Sequence, residues 1–162
     1  MENSPLKKLM NVMPQVGSVT FVSVRPEKKL LPKSIDKVEA KSDSGLDGDH
    51  FSSSYSKKRQ VTLIQQEHLE AISNILSQEI DPLLTRRNIV VSGINLLALK
   101  DRKFEIGTAI MKATGYCHPC SRMETNLGPG GYNAMRGHGG ITAEVIEDGL
   151  IQIGSEVRLL PE

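Results

Sequence analysis

The chain has 162 residues, a formal net charge of +1 and 24% charged residues of nearly balanced sign. That length suits one domain with a core of its own. The balance excludes both a global basic field for nucleic acid and an acidic solvating tail. With no Trp and only three Tyr and three Phe there is little on which to stack bases, so no nucleic-acid partner is expected. No apolar run approaches the roughly 20 residues that span a bilayer, so no membrane is expected either.

Residues 1–14 lack the apolar stretch and cleavage site of a secretory signal and read as a flexible leader ending at Pro14. Residues 15–162 read as a single domain. Two cysteines do not make a disulfide framework, which points to a reducing, cytoplasmic compartment.

Gly17–Val24 sets Val19, Phe21 and Ser23 against Ser18, Thr20 and Val22, the period of a strand, and Pro26 stops it. Residues 28–38 are basic and proline-punctuated, an edge strand or extended loop. Residues 42–51 form a Gly/Asp loop holding Gly48, Asp49 and His50. The acidic order of an EF-hand is missing, and a turn whose Asp side chains bond their own backbone is an equal reading. Residues 52–60 are polar and basic, hence exposed and mobile; 61–64 are a short strand.

Residues 67–77 place Leu69, Ile72, Ile75 and Leu76 on one helical face, with acids early. Asp81-Pro82 fits an N-cap and first position of a brief second helix. Strands follow at 89–91, at 104–113 as one bent strand or two, and at 141–146, 150–153 and 156–160. Many short strands and two helices predict a β-barrel or sandwich.

Residues 114–142 hold both cysteines, two of the four histidines and seven of the fourteen glycines. So much glycine argues against a packed helix and for a loop system that approaches a ligand closely. Cys117-x-x-Cys120 admits several chemistries. Cys117, Cys120 and His138 with one further group would make a zinc site; a thioredoxin-like pair would need a βαβ setting; buried cysteines can be inert core.

The fourth reading is a reactive thiolate, its pKa lowered by His118, Arg122, Arg136 and His138. Cys120 is preferred, because Pro119 stiffens its approach and the following Ser-Arg-Met-Glu opens a helical turn whose N–H groups would face the sulfur. Arg86 and Arg87 are either solvated charges or, with Asn88, a fork for an anion such as phosphate.

Gly45-Leu-Asp-Gly-Asp49-His50, Arg86-Arg-Asn88-Ile-Val-Val-Ser-Gly93, Cys117-His-Pro-Cys120-Ser-Arg122 and a closing Gly149–Leu159 segment, in that order, resemble the MOSC domain of molybdenum cofactor sulfurases and stand-alone bacterial proteins. The resemblance runs over residues 17–160 and implies a mainly β fold, a strongly bent, pyruvate-kinase-like β-barrel with a few short peripheral helices.

It implies Cys120 as the catalytic residue and molybdenum ligand. It implies Arg86, Arg87, Asn88, Gly48, Asp49 and His50 as cofactor-binding residues, beside Arg122, Arg136 and His138. The implied activity is reduction of N-hydroxylated small molecules with molybdopterin. The alternative is a sulfur carrier, as a Cys120 persulfide, or a cofactor-delivery module. The implied partners are a small-molecule substrate or molybdopterin, with an electron-transfer protein or a cysteine desulfurase. Nothing in the sequence resembles an N-terminal barrel subdomain or a desulfurase domain, so pyridoxal phosphate is expected only on a separate partner domain.

Overall fold

The computed structural model describes residues 4–27, 31–50 and 56–162. Residue 51, much of the 52–60 segment and the start of the 28–38 segment lie outside them. In chain order the elements are α1 (Pro5–Met10), β1 (Gly17–Val24), β2 (Lys33–Ile35), β3 (Lys37–Lys41), β4 (Gly45–Leu46), β5 (Val61–Gln65) and α2 (Gln66–Leu76). A short 3₁₀ helix (Pro82–Thr85) and β6 (Ile89–Ser92) follow, then a second 3₁₀ helix (Leu96–Leu99), β7 (Lys103–Ile106) and β8 (Ala109–Tyr116). The chain continues through α3 (Arg122–Leu127), α4 (Gly131–Met135), β9 (Ile141–Glu147), β10 (Gly149–Gln152) and β11 (Glu156–Leu159).

Seven strands close a barrel in the order β1-β6-β5-β9-β8-β7-β11, with β11 returning antiparallel to β1 through Gly17↔Val157. Closure removes the free edges of an open sheet. β2 hangs from β1, and β10, β3 and β4 form a separate three-stranded sheet. Among the described strands β5 and β6 alone pair in parallel, which requires a long crossover, and α2 supplies it.

Alternation along the strands sorts side chains between two cores. Leu63, Ile89 and Val91 join Phe104 and Met111 inside the barrel. Ile64 and Val90 face outward against Leu69 and Ile72 of α2, Met123 and Leu127 of α3, and Met135 of α4. This outer layer seats α3 beside the mouth of the barrel. Gln78 Nε2 donates to Leu127 O at 2.7 Å and Asn126 Nδ2 to Leu84 O at 2.9 Å. The Glu124 carboxylate accepts the Gly130 and Tyr132 amides at 3.1 Å, tying α3 to the start of α4.

Several expectations change. A bulge between Val19 and Phe21 breaks the simple alternation of β1. After it, Val22 and Val24 point into the barrel with Val19, while Phe21 packs on the outer layer. Ile75 is 59% exposed, whereas Leu69 and Ile72 are buried. Residues 104–113 are two strands turned at Gly107, which has φ +59°.

The leader contains α1, with no buried side chain, and Met13 packs against the barrel core. The glycine-rich stretch, expected as a loop system with one helical turn opening after Cys120, holds two helices, α3 and α4, because glycines sit at helix ends and turns around Met123, Leu127 and Met135. No helix among the described residues is long and apolar enough to cross a membrane.

Candidate functional site

Strand ends and the loops beyond them converge on a cleft of about 310 Å³, at the small end of ligand sites. Ser23 and Arg25 reach it from the end of β1, Asp49 and His50 from the loop after β4, and Arg59, Gln60 and Thr62 from the start of β5. Arg86, Arg87 and Asn88 enter before β6, and Cys117, Cys120, Arg122 and Met123 come from the β8–α3 connection. Five guanidiniums therefore face one carboxyl, and among the described residues none of the five forms an ion pair. Nη1 of Arg25 is buried without a hydrogen-bond partner. An orphaned buried donor on a cationic wall fits an anionic guest.

Asn88 is the strut of the cleft. Its Oδ1 accepts Thr62 N–H at 3.0 Å and Thr62 Oγ1 at 3.1 Å, which fixes its amide so that Nδ2 donates to Ser23 O at 3.2 Å and Asp49 Oδ1 at 3.3 Å. Asp49 Oδ1 also accepts the Arg25 amide at 2.8 Å. The Asp49 side chain thus bonds across the cleft to β1 and Asn88. Burial pushes its carboxyl up to about 6, against the weaker downward pull of Asn88 and His50.

Arg87 is 7% exposed and its fork closes on backbone oxygens. Nε donates to Gly139 O at 2.8 Å, Nη1 to Thr85 O at 3.0 Å, and Nη2 to Cys117 O at 3.3 Å and His118 O at 3.5 Å. Burial lowers its pKa, and the Cys117 and Cys120 sulfurs draw it back up. Its place is in the wall, holding the cysteine loop, while Arg86 is only half-buried. The left-handed backbone of Arg86, φ +59°, turns the chain out of the 3₁₀ helix and into β6.

The two thiols differ. Cys117 is 2% exposed, its amide donates to Gly140 O at 2.8 Å, and Arg59 Nη2 lies 3.8 Å from its Sγ. Cys120 is exposed at the cleft. A helix does open after it, but the Met123 and Glu124 amides bond Cys120 O and Ser121 O rather than facing the sulfur.

Arg122 joins the cleft; Arg136, His138 and Gly48 do not line it. Arg136 points along α4 to Asn133 Oδ1 at 3.5 Å. His138 has Nδ1 2.9 Å from Ala134 O, and its ring meets His68 edge-on at 5.2 Å. Gly48 serves a turn, with φ +81°. His118 lines a second cavity of about 300 Å³ with Leu97, Tyr116 and Pro119, and Cys117 borders both.

Among the described residues no three His, Cys, Asp or Glu side chains gather to hold a metal, which removes the zinc reading that used His138. A molybdenum–pterin cofactor brings most of its own donors, so one soft thiolate and an anion-binding wall are what it asks of a protein. Cys120 and the arginines fit that demand. Sequence reasoning missed Arg25, Arg59, Ser23 and Thr62. Their one signal was position, at strand ends that a barrel brings to a common rim.

A closed barrel with one end gathering guanidiniums, a single carboxyl and an exposed thiol is the class of protein defined here. The MOSC domain family matches residues 50–158, and the chain belongs to that family, which is associated with molybdenum cofactor binding. Among solved structures the chain is similar to YuaD of Bacillus subtilis, with TM-score 0.78 and 20% identity over 93% of this chain and 100% of that one. It is also similar to YiiM of Geobacillus stearothermophilus (TM-score 0.73, 15% identity, 89% of this chain and 75% of that one). YiiM of Escherichia coli gives TM-score 0.66 and 16% identity over 90% and 70%. At these identities the likeness is one of fold. No curated protein matches the chain.

Proposed function

We propose that the cleft binds a molybdenum–pterin cofactor, with the Cys120 thiolate as the protein's metal ligand, and that the protein reduces N-hydroxylated small molecules. The carrying observation is that the exposed thiol shares its cleft with five arginines, none ion-paired among the described residues. Arg25, Arg59, Arg86 and Arg122 would meet the anionic groups of the cofactor, while Arg87 and Asn88 hold the walls. When bound, the cofactor would supply two-electron redox chemistry, and an electron-transfer partner would supply the electrons. The exposure of Cys120 also suits a second reading, in which another protein loads it with sulfur as a persulfide.

The test is molybdenum and pterin content of protein made in cells that synthesise the cofactor, wild type beside Cys120→Ala. Near-stoichiometric metal and pterin, with the metal lost in the variant, is the expected result. A cofactor-free wild type carrying cyanide-releasable sulfur on Cys120 would favour the carrier. Neither signal would reject both readings.

A further inference from the structure

An anion cleft gains nothing from a carboxylate, which repels the guest, yet Asp49 stands among the guanidiniums. Its hydrogen bonds from the Arg25 amide at 2.8 Å and Asn88 Nδ2 at 3.3 Å fall on Oδ1 as acceptor, and the His50 backbone amide also favours its charged form. An asparagine would accept those bonds equally well, so the scaffold does not require an acid here. What an amide cannot do is carry a proton. The orientation is also fixed from behind, since the Thr62 amide at 3.0 Å claims Asn88 Oδ1 and turns Nδ2 toward Asp49. No side chain among the described residues donates to the second carboxyl oxygen of Asp49.

We infer that Asp49 is the proton donor and acceptor of the cleft, acting on the substrate held beside Cys120. This rests on the reductive reading of the site. In that reaction an N-hydroxylated substrate takes two electrons from a reduced donor protein or dye, and two protons. The N–O bond breaks, one N–H and one O–H bond form, and water leaves. Asp49 gives its proton to the departing oxygen, becomes a carboxylate and is reprotonated from solvent; the second proton, on nitrogen, comes from solvent.

Burial already holds the carboxyl up at about 6, inside the range in which a side chain both gives and recovers a proton near neutral pH. The charged and titratable groups lining the cleft with it are Arg25, His50, Arg59, Arg86, Arg87, Cys117, Cys120 and Arg122.

The test compares wild type, Asp49→Asn and Asp49→Glu as cofactor-loaded proteins, with a reduced viologen as electron donor and an N-hydroxylated nucleobase as substrate. Molybdenum and pterin content is measured on each, and the Asp49 carboxyl of the wild type is titrated by carbon-13 NMR. Expected are full cofactor in Asp49→Asn, turnover down about 100-fold or more, loss of the wild-type pH limb near 6, and partial recovery in Asp49→Glu.

Unchanged turnover in Asp49→Asn overturns the inference, and so does loss of cofactor there, which would make Asp49 a binding residue. A wild type that binds no cofactor condemns the reading of the site instead. Even then the cofactor-free protein decides Asp49, because a carboxyl titrating in the ordinary carboxylate range overturns its role.

Discussion

At the scale of single residues the cleft rests on a buried arginine and a half-buried carboxyl. Arg87 brings a charge into the wall and satisfies it on the carbonyls of Thr85, Gly139, Cys117 and His118. A lysine there keeps the charge but has one nitrogen where the fork has three. Arg87→Lys is therefore expected to lower stability by about 2–4 kcal/mol, read by urea denaturation, and to change the alkylation rate of Cys120; an unchanged midpoint would show the carbonyls find other donors.

Asp49 acts through its proton. Its carboxyl is raised from 3.8 to about 6 in the folded state, so between those values the folded chain binds more protons than the unfolded one. Stability then falls as pH rises through that window. The half-exposed setting limits the effect to about 1–2 kcal/mol. Asp49→Asn should flatten that slope, and an unaltered pH–stability curve would show that the native carboxyl is not raised.

At the scale of elements, the cysteine loop is held between β8 and the α3–α4 layer by close backbone approach. A Cβ at Gly139 would overlap the Cys117 carbonyl oxygen, and one at Gly140, whose φ is +87°, would overlap Leu63 O. Both contacts are with backbone, so neither is relieved by a rotamer change. Gly139→Ala should push the Cys117–His118 peptide away from Arg87 and cost about 2–3 kcal/mol. Cofactor content and thiol reactivity should fall with it. Full stability with altered thiol reactivity would instead place the strain wholly within the loop. The same helices explain why Arg136 and His138, near the cysteines in sequence, lie away from the cleft: α3 and α4 carry them to the outer layer.

At the scale of the molecule, what was legible in the sequence was local. Short strands predicted at 61–64, 89–91, 141–146 and 156–160 located β5, β6, β9 and β11, and Asp81-Pro82 marked a cap whose Oδ1 accepts Leu83 N–H at 3.0 Å. The pairing of Gly17 with Val157 was not legible, because it joins opposite ends of the chain; nor was the bulge in β1, which no residue type announces. The site divides in the same way. Arg86, Arg87, Asn88 and Cys120 stood out by composition, whereas Arg25 and Arg59 look like ordinary surface charges until closure puts their strands on one rim.

Closure also separates the two ends of the chain energetically. β11 is a barrel strand with Val157 fully buried, whereas α1 buries no side chain and, among the described residues, is hydrogen-bonded to the barrel by Arg102 Nη1 at 3.4 Å from Met10 O. Removing residues 1–12, which keeps Met13, is expected to leave stability within about 1 kcal/mol and Cys120 reactivity unchanged. Removing residues 156–162 takes out a stave, strips one partner each from β1 and β7, and should abolish cooperative unfolding. Calorimetry on the two truncations decides between this and the alternative. If the first also loses its transition, the leader is part of the fold, and the barrel does not hold its own mouth in place.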